Sequence, residues 1–236
     1  MPQSIQKRKV VIKAMDFRHE GKHEINVSDM IALRQRLRAV ARPDPHAVGG
    51  RYTIRSLYFD DLTDKVLREK LDGVDRREKV RIRYYNGDAS LIHLEKKSKR
   101  SALGSKETAD LTQAEAQAIV NGDLDWMPSS GRALVQELYS KMRRGLRPKT
   151  IVDYTREPFT YAPGNVRVTL DYDIRTGLGC TDFLNPNCVT VPAGDAPIIL
   201  EVKWDGFLPD IIRDAVRLDG RRASAFSKYA QCRIYG

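Results

Sequence analysis

Val80-Arg81-Ile82-Arg83-Tyr84, Ile92-His93-Leu94-Glu95-Lys96-Lys97 and Leu200-Glu201-Val202-Lys203-Trp204 each alternate apolar with charged residues. A period of two places successive side chains on opposite faces of a strand. Val80, Ile82 and Tyr84 share one face, and Arg81, Arg83 and Tyr85 the other. Ile92, Leu94 and Lys96 oppose His93, Glu95 and Lys97; Leu200, Val202 and Trp204 oppose Glu201, Lys203 and Asp205. Val166-Val168-Leu170 opposes Arg167-Thr169-Asp171 in the same way. Solvated outer faces explain any one such strand, since charged residues are mostly exposed. Four strands with one pattern point instead to a shared charged surface.

The apolar faces need cover, and amphipathic helices supply it. Ser28 reads as the N-cap of a helix carrying Met30, Ile31, Leu33, Leu37 and Val40, which Arg42-Pro43-Asp44-Pro45 ends. Thr112-Gln113-Ala114-Glu115 is a capping box for a helix stopping near Asn121-Gly122. A further helix runs over 131–144 with Leu134, Leu138 and Met142 on one side, and others over 209–217 and 223–232. Residues 61–71 read as a short helix closed at Gly73. Strands are expected over 17–27, 52–59, 77–85, 90–97, 151–155, 159–161, 166–174 and 200–204, with a short one at 189–191 inside the loop 177–197. Asn86-Gly87 between two of them is a tight hairpin turn. The expected fold is α+β: a closed antiparallel β-barrel of about eight strands forming a basic tunnel, with helices packed outside, in a single domain over 1–236.

The 236 residues include 41 Lys+Arg against 31 Asp+Glu, a formal charge of +10, with 41% hydrophobic and 31% charged residues. This is a globular composition with an anionic partner. Three cysteines, Cys180, Cys188 and Cys232, make no Cys-x-x-Cys pair, which argues against a disulfide framework or zinc cluster and for a reducing compartment. Val10-Val11-Ile12 is too short an apolar run for a secretory leader, and no stretch approaches the ~18 apolar residues of a membrane span. The expected location is cytoplasmic.

Cations sharing a barrel interior repel each other by ~3 kcal/mol per pair at about 6 Å and an effective dielectric near 20. The glutamates offset part of this repulsion, and a bound polyanion would offset more. The sequence therefore describes a tunnel for a narrow, linear, phosphate-rich ligand.

Arg18-His19-Glu20-Gly21-Lys22, Ser56-Leu57-Tyr58-Phe59-Asp60, Arg81-Ile82-Arg83, Leu94-Glu95-Lys96-Lys97, Leu200-Glu201-Val202-Lys203 and Phe226-Ser227-Lys228-Tyr229 together resemble the VTC-type polyphosphate polymerase domain of the triphosphate tunnel metalloenzyme superfamily. The resemblance spans nearly the whole chain in order. It implies a divalent metal, Mn²⁺ or Mg²⁺, and transfer of the γ-phosphate of ATP to a growing polyphosphate chain. Carried over by position, Lys22, Arg81, Arg83, Lys97, Lys203 and Glu201 are the catalytic set, with Glu201 holding the metal. Glu20, Lys106, Tyr154, Arg156, Arg167, Ser227 and Lys228 contact phosphate or nucleotide. Lys99 stands where family members carry a His, and Gly21 and His23 replace a larger apolar residue and an aromatic. Tunnel triphosphatases typically open with Glu-x-Glu-x-Lys; Arg18 takes the place of the first Glu here, which favours polymerase over hydrolase.

Phosphoryl transfer of this kind needs alignment and charge neutralisation rather than a protein nucleophile. No Ser-His-Asp or Cys-His set is evident, and no Gly-x-x-x-x-Gly-Lys-Ser/Thr loop. Triphosphate hydrolysis and non-catalytic binding of polyphosphate or nucleotide are the alternatives. Nucleic acid is not expected as a partner, because the sequence has no RNP-like aromatic pair or recognition helix. A membrane partner would have to come from another polypeptide.

Overall fold

The computed structural model describes residues 18–100 and 103–234. Their strands are β1 (Arg18–Ile25), β2 (Arg42–Pro43), β3 (Tyr52–Asp60), β4 (Arg77–Tyr85), β5 (Asp88–Arg100), β6 (Leu103–Leu111), β7 (Arg147–Tyr161), β8 (Val166–Thr176), β9 (Val191–Pro192) and β10 (Ile198–Asp205). The helices are α1 (Val27–Val40), α2 (Lys65–Leu71), α3 (Gln113–Asn121), α4 (Ala133–Arg143), α5 (Asp210–Ala215) and α6 (Lys228–Ile234).

Eight strands form one antiparallel sheet in the order β1-β10-β8-β7-β3-β4-β5-β6, with β2 and β9 as short additions on β7 and β8. The sheet curls into an open half-barrel and does not close: β1 and β6 are edges that do not pair with each other. The expected closed barrel is corrected on this point. Both edges are polar and largely exposed, which keeps them from pairing edge to edge. Part of the gap beside β1 is taken by the segment before α6. Ala223 bridges His23, and the Ser224 amide donates to the Lys22 carbonyl at 2.8 Å. The same segment reaches α2, where Lys70 Nζ donates to the Ala225 carbonyl at 2.6 Å.

Three apolar clusters fix the curl. The convex face of β3, β4, β5 and β7 packs under α3 and α4 through Leu57, Ile82, Leu94, Ile119, Val135 and Leu138. The convex face of β8 and β10 packs under α1 and α5 through Leu33, Leu37, Val168, Leu170, Leu200 and Ile212. A third cluster places Tyr229 and Cys232 of α6 against Ile54, Tyr58, Val152, Tyr154 and Ile174, so α6 closes over part of the concave face. Tyr229 is fully buried, and its hydroxyl donates to Asp60.

Local signals account for most of these elements. The hairpin β4–β5 turns at Asn86 (φ 53) and Gly87 (φ 73), the paired positive φ angles that match strand twist. The Thr112/Glu115 capping box forms as expected. At α1 the cap is Asn26, not Ser28: Asn26 Oδ1 accepts from the Asp29 amide, and Asp29 returns the bond to the Asn26 amide. β7 runs unbroken through residues 156–158, between the two strands expected there, because Arg156, Glu157 and Pro158 stay in register with Asp171, Leu170 and Thr169 of β8. β6 is a strand without a strand's sequence pattern, since Ser105-Lys106-Glu107-Thr108 carries little apolar signal; it is held by pairing with β5. No helix among the described residues is long and apolar enough to cross a membrane.

Candidate functional site

The registers place the charged residues in rows across the concave face. Arg81 lies opposite Glu95 and Tyr58, and Arg83 opposite His93 and Ser56. Lys79 lies opposite Lys97, which lies opposite Lys106. On the other wing Lys22 faces Glu201, and Glu20 faces Lys203. Every strand alternates, so these groups share a trough whose convex side is the apolar core.

Glu95 is the anchor of one wing. At 1% exposure it accepts from Arg81 (Nε 3.0 Å, Nη2 2.8 Å) and Arg83 (2.6 Å), and pairs with Lys106 (2.6 Å). Burial pushes its pKa up, but Arg81, Arg83 and Lys106 bring it down to about 2. Arg81 also donates to the Tyr58 hydroxyl at 2.7 Å. Lys96, one residue on, points outward to Glu107 (2.7 Å) and Glu137 (2.6 Å).

Glu201 organises the other wing. Its carboxylate lies 3.3 Å from Lys22, 3.2 Å from Lys203 and 3.5 Å from Arg156. Glu20 shares two of these partners, Lys22 at 2.8 Å and Lys203 at 3.5 Å. Burial opposes ionisation of Glu201, yet the hydrogen bond with Glu20 and the three cations hold it well below the ordinary carboxylate range. Lys22 suffers the same desolvation, which the two carboxylates outweigh, so its pKa is raised.

The floor joins the wings. Asp171, fully buried, accepts from Arg156 (2.6 and 2.7 Å) and Lys228. Both cations lie against the Tyr154 ring, at 5.5 and 4.6 Å from its centroid. Burial would raise the Tyr154 phenol, but Arg156, Lys228 and Arg81 together lower it. Arg167 lies toward the β1 wing's end, bonded to the Tyr52 hydroxyl (2.9 Å) and Asp44 (3.0 Å). Ser227 accepts from Lys79 at 3.3 Å.

All thirteen candidate residues thus lie on or beside one surface. Sequence reasoning gave Glu95 only a share in offsetting cation repulsion and gave no role to Lys79 or to Asp171, the buried acid that holds Arg156 and Lys228. Alternation alone puts Lys79 on the Arg81 face and Asp171 on the Arg167 face, so that signal was present. Asp44 and Lys70 come from a turn and a helix and had none. Arg18 pairs with Asp205 at 2.9 Å and the Asn165 carbonyl at 2.5 Å, so its charge is committed at the rim rather than offered to a ligand.

Several polar atoms on this surface have no protein partner: Ser56 Oγ, Arg83 Nε, Arg167 Nε and Thr169 Oγ1. Buried donors left open are expected where an anionic ligand completes the site. Among the described residues no three carboxylate, His or Cys groups cluster as a metal cage. Glu20 and Glu201 nevertheless offer adjacent hard oxygen donors, which suits an ion that takes one or two carboxylates and fills its shell with phosphate oxygens and water.

The site is thus the concave face of a curled antiparallel sheet, lined with cations that buried acids hold in place. The sequence profile of the VTC domain matches residues 17–234, and the chain belongs to that family. A putative adenylate cyclase from Bacillus halodurans has a similar fold (TM-score 0.51, 12% identity, 80% of each chain covered). A protein from Pyrococcus horikoshii aligns at TM-score 0.43 and 15% identity over 85% of this chain and 84% of its own. No curated protein matches by sequence.

Proposed function

We propose that the protein is a polyphosphate polymerase that transfers the γ-phosphate of ATP to the end of a polyphosphate chain lying in the trough. The carrying observation is the arrangement of Arg81, Arg83 and Lys106 on Glu95 opposite Lys22, Lys203 and Arg156 on Glu201. Two cation clusters, one fixed by Glu95 and the other by Glu201 together with Glu20 and Asp171, face a common space and need no reorganisation to receive phosphates.

Arginine forks grip phosphate oxygens bidentately and stay charged throughout, while lysines add point charges along the path. A terminal phosphate oxygen of the acceptor forms a bond to the γ-phosphorus. The bond from that phosphorus to the bridging oxygen breaks, and its electron pair leaves with ADP. The attacking oxygen is already ionised, so no general base is required. Arg81, Arg83, Lys97 and Lys203 hold donor and acceptor in line and absorb the charge on the transferring group. Glu201, with Glu20, would hold Mn²⁺ or Mg²⁺, which when bound neutralises phosphate charge.

Incubation with ATP and Mn²⁺, followed by gel separation of phosphate chains, tests this reading. Long chains are expected from wild type and not from Glu201→Ala or Lys203→Ala. Orthophosphate without chains would identify a triphosphatase, and tight binding without product a binding module. Chain synthesis by both variants at the wild-type rate would overturn the site assignment.

A further inference from the structure

The convex side of the sheet carries a second cationic feature. Arg156 and Asp171 face the trough, so the residues that follow them, Glu157 on β7 and Tyr172 on β8, face the other way. There the buried Glu157 accepts Nε and Nη2 of Arg34 on α1, both at 2.8 Å, and the Tyr172 hydroxyl at 2.9 Å. Arg51 reaches the same phenol. A cleft of about 730 Å³ opens here between α1 and residues 43–51, and Arg38, one turn on from Arg34, also lines it. Three guanidiniums against one carboxylate leave two positive charges unmatched, and Arg38 forms no hydrogen bond or ion pair among the described residues. Pro43, Val48 and Phe159 line the same cleft, and Val48 is 84% exposed. Gly49 (φ 66) and Gly50 (φ 78) adopt backbone angles that suit glycine, and the turn they make brings Val48 and Arg51 to one opening.

We propose that this cleft is a second ligand site, on the face away from the trough, for a small organic phosphomonoester that acts as an effector. A phosphomonoester carries two negative charges above its second ionisation, near pH ~6, which matches the two unmatched cations. Guanidinium forks grip its oxygens bidentately. The volume lies within the ~300–1,000 Å³ of small-molecule sites and exceeds what a bare phosphate fills, so the ligand brings a carbon skeleton for Pro43, Val48 and Phe159 to cover. An inorganic phosphate chain has no such skeleton. The site stands whether the trough makes, cuts or only holds phosphate chains.

One residue ties the cleft to the trough. Pro43 and Arg51 line the cleft, and the residue after each, Asp44 and Tyr52, holds Arg167, at 3.0 and 2.9 Å. A ligand that draws Arg51 onto its phosphate bears on both holders of that trough cation. Glu157 and Tyr172 add a second connection, since each is the chain neighbour of a member of the Arg156–Asp171 pair on the opposite face.

Phenyl phosphate at pH 8 is the probe, and the Val48 methyl resonances of the full chain read its binding at the cleft separately from anything bound in the trough. They should shift saturably in wild type. Arg38→Gln/Arg51→Gln alters two exposed side chains, so it should melt as wild type does and bind the probe about tenfold or more weakly. Inorganic phosphate and benzoate should each bind more weakly than phenyl phosphate, because one lacks the skeleton and the other the second charge. Saturating phenyl phosphate should change the affinity of wild type for inorganic triphosphate by about fivefold or more and leave that of the double variant unchanged. Unmoved Val48 resonances, or equal probe affinity in the double variant, overturn the site. Inorganic phosphate binding as tightly as phenyl phosphate overturns the organic ligand. Equal triphosphate affinity with and without the probe overturns the effector role and the link through Arg167.

Discussion

Arg81 holds Glu95 through two guanidinium nitrogens, at 3.0 and 2.8 Å, on adjacent strands where the two residues are register partners. The bond makes Glu95 part of the trough's framework, although it lies among residues that would bind anions. Glu95→Gln leaves Arg81 and Arg83 inside without their counter-charge and should cost about 3–5 kcal/mol of stability. Inorganic triphosphate should raise the melting temperature of this variant more than that of wild type, because the ligand supplies the missing negative charge. Differential scanning fluorimetry with and without the ligand measures both effects.

The same carboxylate sets an acid limit. Its folded pKa is depressed, from the ordinary glutamate value of 4.5 to about 2, so the folded state binds fewer protons than the unfolded chain in that interval. Its stabilising contribution, about 3 kcal/mol, is present above pH 4.5 and is lost as pH falls toward 2. Urea unfolding across this range should show a decline in wild type that is shallower in Glu95→Gln.

Asp171 should behave as a second such anchor. Asp171→Asn leaves Arg156 and Lys228 buried against Tyr154 without a carboxylate, costing about 3–5 kcal/mol. It also removes the carboxylate whose charge raises the Tyr154 phenol. Alkaline difference absorbance should place Tyr154 ionisation at lower pH than in wild type. An unchanged phenol titration in a folded variant would contradict the placement.

How much of this could be read from the chain depends on where each signal resides. Arg81, Arg83, Glu201 and Lys203 are legible because alternation is local and fixes their face. The openness of the sheet was not legible, because closure depends on whether β1 and β6 meet, and β6 carries no apolar pattern of its own. The inward reach of Lys70 was equally hidden, since it depends on α2 packing against α6 and the Ala225 carbonyl. Arg18 shows the converse: its position suggested an extra cation in the site, and Asp205, its register partner on β10, takes that charge at the rim.

Cys180 and Cys188 gave no pairing motif, yet their sulfurs lie 2.9 Å apart in the loop after β8. Treatment with a thiol oxidant such as diamide should join them with the loss of two hydrogens, leaving Cys232 buried and unreacted. Closing so short a loop should stabilise the fold by about 2–3 kcal/mol. Peptide mapping identifies the link, and reversal by dithiothreitol should return the original melting temperature.

Lys96 and Lys97 are adjacent and should respond in opposite ways. Lys96 is buried on the convex side between Glu107 and Glu137, which raise its pKa against the effect of burial. Lys96→Met should lose about 1–3 kcal/mol through its lost bonds to Glu107 and Glu137, although Glu137 keeps Lys141 at 3.4 Å, and should bind polyphosphate like wild type. Lys97 is reached by solvent but ringed by the concave wall. Desolvation, with repulsion from Arg81 and Lys203, lowers its pKa well below the lysine value despite Glu201 and Glu95. Lys97→Met should therefore stabilise the ligand-free protein while weakening phosphate binding about tenfold. Thermal melts and a phosphate-binding titration on the two variants separate these outcomes. Stability and affinity falling together in Lys97→Met would mean that Lys97 is held by the fold rather than kept free for a ligand.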